Sequence, residues 1–524
     1  MLRAEIRNLA QNPGTLILRS DASTAMGTGH VMRSLALAQA WQDAGGRPVF
    51  AIAETAPAIR ERLLAENMEV APLEASAGGE DDARKVKELA FRHNATWVVV
   101  DGYQFGSGYQ RQLKVAGLKV LFVDDNGHAG HYFADLVLNQ NAHAHESLYA
   151  GRESYTRLLL GPRYAMLRRE FAQWRAWKRE IATVGRKILV CMGGSDPGNI
   201  TGNIIDALHQ VRVSFEARVI VGSINPHFAT IECAVRGSSA KIELVRKPSN
   251  IAELMAWADI AIAASGSTCW ELCLLGLPAI LMDVAPNQRR IARELNARGC
   301  AIHIGSVDEV SAERMATQIE SLLGSLQMRS AVSSKACRLV DGQGCGRVLS
   351  AILAKKIRLR EAIESDSRLL FEWANDAEAR ANSFSSAPIP WEQHQAWFAE
   401  KLRSSALIFI ALNDEDTPIG LLRYDIVDNI AVLSMNLDRQ FRGGGYGTAI
   451  LSLGLEELFR ATPIGRIKAF IKPTNLASLR LFTKCGFTQA ERSVVDGHAA
   501  IVFVLERAHY TDENSQYKVQ RSSP

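Results

Sequence analysis

"RSDASTAMGTGHVMRSLALAQAW", residues 19–41, runs from the end of an apolar strand (TLILRS, from Thr15) through a glycine-rich turn into an amphipathic helix. Strand, glycine turn and helix in that order form the opening βα unit of a parallel sheet, and the backbone N–H groups of such a turn suit an anion. A phosphate, however, needs N–H groups and cations more than a titratable ring, and this turn holds His30. Two readings stay open: His30 only caps or packs the turn, or it is a base held where the helix dipole favours the neutral ring.

The same pattern extends outward. PVFAIAE, ATWVVVDGY, LKVLFVDD and ADLVLNQN read as strands alternating with helical stretches such as DARKVKELAFRHN. After the charged segment RREFAQWRAWKRE it restarts with KILVCMGG, EARVIVGS, KIELVRK, DIAIAASG, LPAILMDV and CAIHIG. The expected architecture is two tandem doubly wound α/β domains, residues 1–165 and 166–353, with ligands taken between their facing strand ends. Residues 330–356 read as a closing helical segment broken by a DGQGCG turn. From Ile357 the strands shorten and look antiparallel (IRLREA, LIFIALND, PIGLLRYDIV, IAVLSMNLD), which predicts an α+β domain over 356–510. The polar stretch 511–524 is expected to be a disordered tail.

Composition sets the limits. A chain of 524 residues has room for about three domains. With 60 basic against 56 acidic side chains, no nucleic-acid partner is expected. No apolar run approaches the roughly 18 residues of a membrane span, and MLRAEIRNLAQNPG lacks the apolar core of a secretory signal, so a cytoplasmic protein is expected. Cys191, Cys233, Cys269, Cys273, Cys300, Cys337, Cys345 and Cys485 show neither CxxC nor histidine ligand spacing, and are expected to be reduced core thiols rather than metal ligands.

Two further glycine turns follow predicted strands. In CMGGSDPGNIT (191–201), Gly193, Gly194 and Ser195 offer N–H groups, and Asn199 or Thr201 side chains, to a diphosphate; alternatively the turn is chosen for geometry alone. In SGSTCWELCLLGLPAI (265–280), Thr268 and Glu271 form either a capping box or a site where the carboxylate accepts both ribose hydroxyls of a nucleotide.

Taken together, GxGHxxR after RxDAS, DxY at Asp101 and Tyr103, VDD at Asp124 and Asp125, LNQN at 138–141, GPRYAMLRREF at 161–171, GGSDPxNxT and SGSTCWEL resemble one family. It is the UDP-sugar hydrolases of pseudaminic acid biosynthesis, which release UDP from UDP-2,4-diacetamido-2,4,6-trideoxy-β-L-altropyranose. The resemblance covers about residues 15–345. It implies the two-domain GT-B fold of the glycosyltransferases, with the nucleotide on the second domain. It further implies that Gly193, Gly194 and Ser195 with Ser265, Ser267 and Thr268 hold the diphosphate, and Glu271 the ribose. Gly29, Arg33, Tyr103, Asn139, Tyr164, Arg168, Asn199 and Gln288 are implied as other substrate contacts. His30 becomes the base that activates water at the anomeric carbon, with Asp21 or Asp125 orienting it or stabilising an oxocarbenium-like transition state. UDP leaves without help from an acid of high pKa or from a metal, and the configuration inverts.

NLDRQFRGGGYGTAIL (436–451) matches the [Q/R]xxGxG turn of the GNAT acetyltransferases, and KPTNLASLRLFTKCGF (472–487) resembles the second half of their coenzyme site. This implies acetyl-CoA as co-substrate, held by Arg442, Gly443, Gly445, Tyr446, Gly447 and Thr448, with Asn475 on the cofactor arm. Residues 373–398 resemble the acetyltransferase that supplies the sugar's second acetamido group in the same pathway. Trp391 and Trp397 either close the core or line a nucleotide-sugar site, and Glu392 and His394 are candidate bases. Phe482 stands where many relatives have a tyrosine that protonates the departing thiolate. The expected whole is a bifunctional enzyme acting on a UDP-amino-sugar. A GT-B glycosyltransferase that passes the sugar to an acceptor instead of water, or a coenzyme-A-sensing module without turnover, remain the alternatives.

Overall fold

The computed structural model describes residues 13–510 apart from 24–25, 237–239, 247, 249, 355–356, 414–415 and 443–445; the expected tail therefore lies outside the described residues. The chain divides into two compact units, Met1–Leu353 and Ala354–Pro524.

The first unit holds two parallel sheets. One comprises β1 (Thr15–Ser20), β2 (Arg47–Ile52), β3 (Glu69–Pro72), β4 (Trp97–Asp101), β5 (Lys119–Val123), β6 (Leu136–Asn139) and β7 (Arg157–Leu160), in the order β3-β2-β1-β4-β5-β6-β7. The other comprises β8 (Lys187–Cys191), β9 (Glu216–Val221), β10 (Lys241–Arg246), β11 (Ile260–Ala264), β12 (Ala279–Asp283) and β13 (Ile302–Ser306), in the order β10-β9-β8-β11-β12-β13. Both are covered on two faces, which is why their strands read as unbroken apolar runs. In β1, Leu16 and Leu18 join one core while Ile17 joins the core on the opposite face. Strand order reverses between β1 and β4 and again between β8 and β11, and such switch points open a crevice at the strands' carboxyl ends.

Three features differ from the sequence reading. The four-residue edge strands β3 and β7 are additional. The helix Gly344–Leu353 packs Cys345, Val348, Leu349 and Ile352 into the first sheet's core beside the helix Gly29–Asp43, so the chain returns to the first sheet before the unit ends. All eight cysteines are free thiols, but Cys233 and Cys337 are exposed, on the outer faces of the helices Phe228–Arg236 and Leu326–Leu339.

The second unit is a mixed sheet of β14 (Arg358–Glu361), β15 (Leu407–Leu412), β16 (Pro418–Val427), β17 (Ile430–Leu437), β18 (Arg466–Ile471), β19 (Thr488–Val495) and β20 (His498–Glu506), in the order β14-β15-β16-β17-β18-β20-β19. Every neighbouring pair is antiparallel except β17 and β18. Among the described residues no helix is long and apolar enough to cross a membrane.

Candidate functional site

His30 lies in the first turn of the helix Gly29–Asp43, above the switch point of the first sheet. Register places Ser20, Asp101 and Val123 abreast at the ends of β1, β4 and β5, so the residues that follow these strands converge on one rim. His30 Nδ1 stands 2.7 Å from Asp101 Oδ1. A carboxylate only accepts, so Nδ1 carries the proton and Nε2 presents the lone pair.

Behind this pair sits a buried cation. Arg33 Nε donates to Asp101 Oδ2 at 2.7 Å, Nη2 to Asp101 Oδ1 at 2.6 Å, and Nη1 to Asp125 Oδ1 at 2.8 Å. Asp125 also accepts from Asn141 Nδ2 (2.8 Å) and the Tyr103 hydroxyl (2.9 Å). Burial alone would raise both carboxyls. Arg33 outweighs it, holding Asp101 below and Asp125 well below the ordinary carboxylate range. Burial and Asp125 push the Tyr103 phenol up, so it stays a donor.

This geometry corrects several expectations. The carboxylate on His30 is Asp101. Asp21 is fully buried against Arg19 (2.7 Å) and the N–H groups of Ala53 and Glu54, and Asp125 reaches the ring only by way of Arg33. Arg33 is committed through all three of its nitrogens to the two aspartates, which gives it a supporting place behind His30. Asn139 is fully buried and ties the Asp125 carbonyl to Tyr149. Tyr164 packs against the apolar core of the first sheet.

The glycine turn of the first sheet meets both turns of the second. A β-carbon added to Gly27 would lie 3.9 Å from Ser195 Oγ, one on Gly29 3.8 Å from Ser267 Oγ, and one on Gly194 only 2.5 Å from Thr28 Oγ1. Asn287 Nδ2 donates to the Tyr103 hydroxyl at 2.9 Å, and Gln288 lies beside Gly266. The helix Thr268–Leu274 has no side-chain cap, so Thr268 and Glu271 form no capping box. Instead Glu271 accepts from Arg168 at 2.9 Å, and burial pushes its carboxyl up to about 7 despite that cation.

Two phosphate expectations change. Asp196 accepts from the N–H groups of Ile200 and Thr201 at 2.8 and 2.9 Å, filling the start of that helix with a carboxylate, so only the turn Gly193–Ser195 remains open to an anion. Asn199 takes a left-handed φ of 52° at the helix start, with Oδ1 buried and unpartnered among the described residues. The Ser265 hydroxyl donates to the Met282 carbonyl at 2.8 Å. Sequence reasoning passed over Thr28, Asp101, Asn141 and Asn287, although Asp101 lay in the DxY motif and Asn287 beside Gln288.

In the second unit β17 and β18 pair only through Ile430–Val432 and Arg466–Lys468. Beyond that they part, β17 staying with β16 as far as Leu437 and β18 with β20 as far as Ile471. The first turn of the helix Tyr446–Ala461, with Tyr446, Gly447 and Thr448, begins at this opening, where a β-carbon on Gly447 would touch Leu437 and Leu481. Gly443 and Gly445 lie outside the described residues. Arg442 is held by the Leu437 carbonyl, Asp376 and Glu378, and Asn475 caps the helix Leu476–Lys484. His394 is buried with Nε2 2.9 Å from the Ser367 carbonyl, burial lowering its pKa, so it is no free base. Glu392 is exposed in the first turn of its helix. Trp391 packs edge-on to Phe371, and Phe482 is buried against Phe487.

Residues 188–342 match the glycosyltransferase family 28 C-terminal domain, and residues 356–488 the acetyltransferase (GNAT) domain. An uncharacterised protein of Methanocaldococcus jannaschii is 22% identical over 90% of this chain and 96% of its own length. The UDP-2,4-diacetamido-2,4,6-trideoxy-beta-L-altropyranose hydrolase of Campylobacter jejuni is 26% identical over 54% of this chain and 97% of its own. The spore coat polysaccharide biosynthesis protein SpsG of Bacillus subtilis is 28% identical over 45% and 68%. The chain is a homologue of that hydrolase joined to a GNAT domain. The family 28 match falls within the first unit, and the GNAT match within the second.

The buried ionic cluster of this homologue has a measurable consequence. Arg33→Met strands two buried carboxylates and should lower the stability of the first unit by about 3–5 kcal/mol in urea unfolding. The deficit should narrow on acidification, because stranded carboxyls take up protons that the wild-type pair refuses. An unchanged midpoint would contradict the pairing described.

Proposed function

We propose that the second unit N-acetylates the 4-amino group of a UDP-linked deoxy-amino-sugar with acetyl-CoA, and that the first unit then hydrolyses the resulting UDP-diacetamido-trideoxy-altropyranose to free sugar and UDP. The observation carrying the hydrolase half is the contact of the His30 turn with Ser195 and Ser267, which sets an Asp101-oriented imidazole against two turns suited to a diphosphate. The acetyl-transfer half is supported by the parting of β17 and β18, whose freed edges suit a pantetheine arm, with a helix N-terminus at the mouth for the pyrophosphate.

In the first unit, His30 Nε2 takes a proton from water as its oxygen bonds the anomeric carbon. The glycosidic C–O bond breaks with its electron pair left on the β-phosphate of UDP. Asp101 keeps the tautomer and meets the imidazolium that forms, while Arg33 and Asp125 fix Asp101. Glu271 accepts the ribose hydroxyls. In the second unit the sugar's amine attacks the thioester carbonyl, the C–S bond breaks, and the thiolate takes up a proton. With His394 committed to a backbone carbonyl, Glu392 is left as the candidate to receive the amine proton.

The test supplies a UDP-4-amino-sugar and acetyl-CoA and follows thiol and UDP release together. The wild type should release both. His30→Ala should slow UDP release by about 10²–10⁴ and leave thiol release unchanged. Normal UDP release from that variant, or no thiol release from the wild type, would overturn the corresponding half.

A second outcome follows from Glu271. The charged carboxylate is the form that accepts hydroxyl hydrogens, and its value of about 7 means that raising pH through neutrality populates it. Affinity of the His30→Ala chain for the UDP-sugar should therefore rise between about pH 6 and 8, and Glu271→Gln should flatten the rise. A pH-independent affinity of the His30→Ala chain would remove Glu271 from the ribose.

A further inference from the structure

On the reading above, the nucleotide diphosphate rests on the second sheet and the base stands on the first. The contact between the two sheets adds a residue. Thr28 is the N-cap of the helix Gly29–Asp43, a position whose side chain ordinarily accepts from the helix's free N–H groups, yet its side chain makes no capping bond. Its hydroxyl has no hydrogen-bond partner among the described residues. It is directed instead at the Gly193–Ser195 turn, so closely that a β-carbon on Gly194 would fall 2.5 Å from Oγ1, 2.8 Å from Cγ2 and 3.2 Å from Cβ of Thr28. No side chain fits there. Gly194 is a glycine where the backbone of one sheet's anion turn approaches a hydroxyl from the other.

We propose that the Thr28 hydroxyl donates a hydrogen bond to the β-phosphate of the bound UDP-sugar and strengthens it as the anomeric C–O bond breaks. That step leaves an electron pair and a negative charge on the β-phosphate oxygen. A hydroxyl can donate to that oxygen without transferring its proton, while His30, two residues on, accepts the proton of the incoming water. The same turn thus serves both ends of the displacement: the base for the nucleophile and a donor for the leaving group. The Gly193–Ser195 turn lies against Thr28 from the other sheet, and the carboxylate of Asp196 is held by the N–H groups of Ile200 and Thr201. The threonine supplies from the first sheet a donor that the filled helix end of the second cannot.

Calorimetric titration of the full chain with UDP and with UMP tests this directly, because only UDP carries a β-phosphate. Thr28→Val keeps the shape and removes the donor; Thr28→Ser restores it. The valine variant should bind UDP about tenfold more weakly, as expected for a hydrogen bond to a charged group, with UMP affinity unchanged and serine within about threefold of wild type. Its kcat on the UDP-sugar should fall at least as far. UDP affinity untouched by valine, or UDP and UMP weakened together, would overturn the assignment, the latter marking Thr28 as structural. A wild-type chain that binds neither nucleotide would overturn the parent reading and this assignment with it.

Discussion

The guanidinium of Arg33, enclosed between Asp101 and Asp125, is the constraint on which the candidate site depends. It joins the helix Gly29–Asp43 to the last residue of β4 and to the loop after β5, and so fixes the helix that bears His30 over the switch point of its own sheet. Placing three charges out of water is costly unless every donor and acceptor is met. Here the planar fork reaches both carboxylates, and Asn141 and Tyr103 take up lone pairs on Asp125. The result is a rigid support that sets the imidazole tautomer without needing Asp101 to take a proton.

The second sheet imposes a different constraint. Its turns Gly193–Ser195 and Ser265–Thr268 follow β8 and β11, the strands between which its order reverses, and the turn at Gly27–Gly29 sits against both. Of the glycines at this contact, Gly194 is the one that leaves no room for a side chain, because the Thr28 side chain stands where its β-carbon would be. The contact brings a base on one sheet and an anion turn on the other within one substrate's reach. Glu271, raised by burial and paired with Arg168, is tied to the segment that connects the sheets.

Much of this was legible in the sequence because it is local. Apolar runs bounded by turns located every strand of the parallel sheets but β3 and β7. EVAP carries a proline, and RLLL is only four residues long before a glycine. His30 and Glu271 were identifiable because a glycine turn fixes which end of a strand they occupy. Partners were not. Whether Asp21, Asp101 or Asp125 meets His30 depends on β1 lying beside β4, a pairing of residues about 80 apart that no local pattern encodes. The family resemblance implied Arg33 as a substrate contact, and its enclosure between two carboxylates is a tertiary fact that no local pattern shows. The return of the helix Gly344–Leu353 to the first sheet and the filling of one helix start by Asp196 are likewise tertiary choices.

The central claim is that a water activated by His30 attacks carbon, not phosphorus. Hydrolysis of the UDP-sugar in ¹⁸O-labelled water, with both products read by mass spectrometry, measures this directly. The account predicts label on the anomeric hydroxyl of the released sugar and none in UDP. Label in UDP would place the attack at the phosphate, and neither the role given to His30 nor the geometry argued around it could stand.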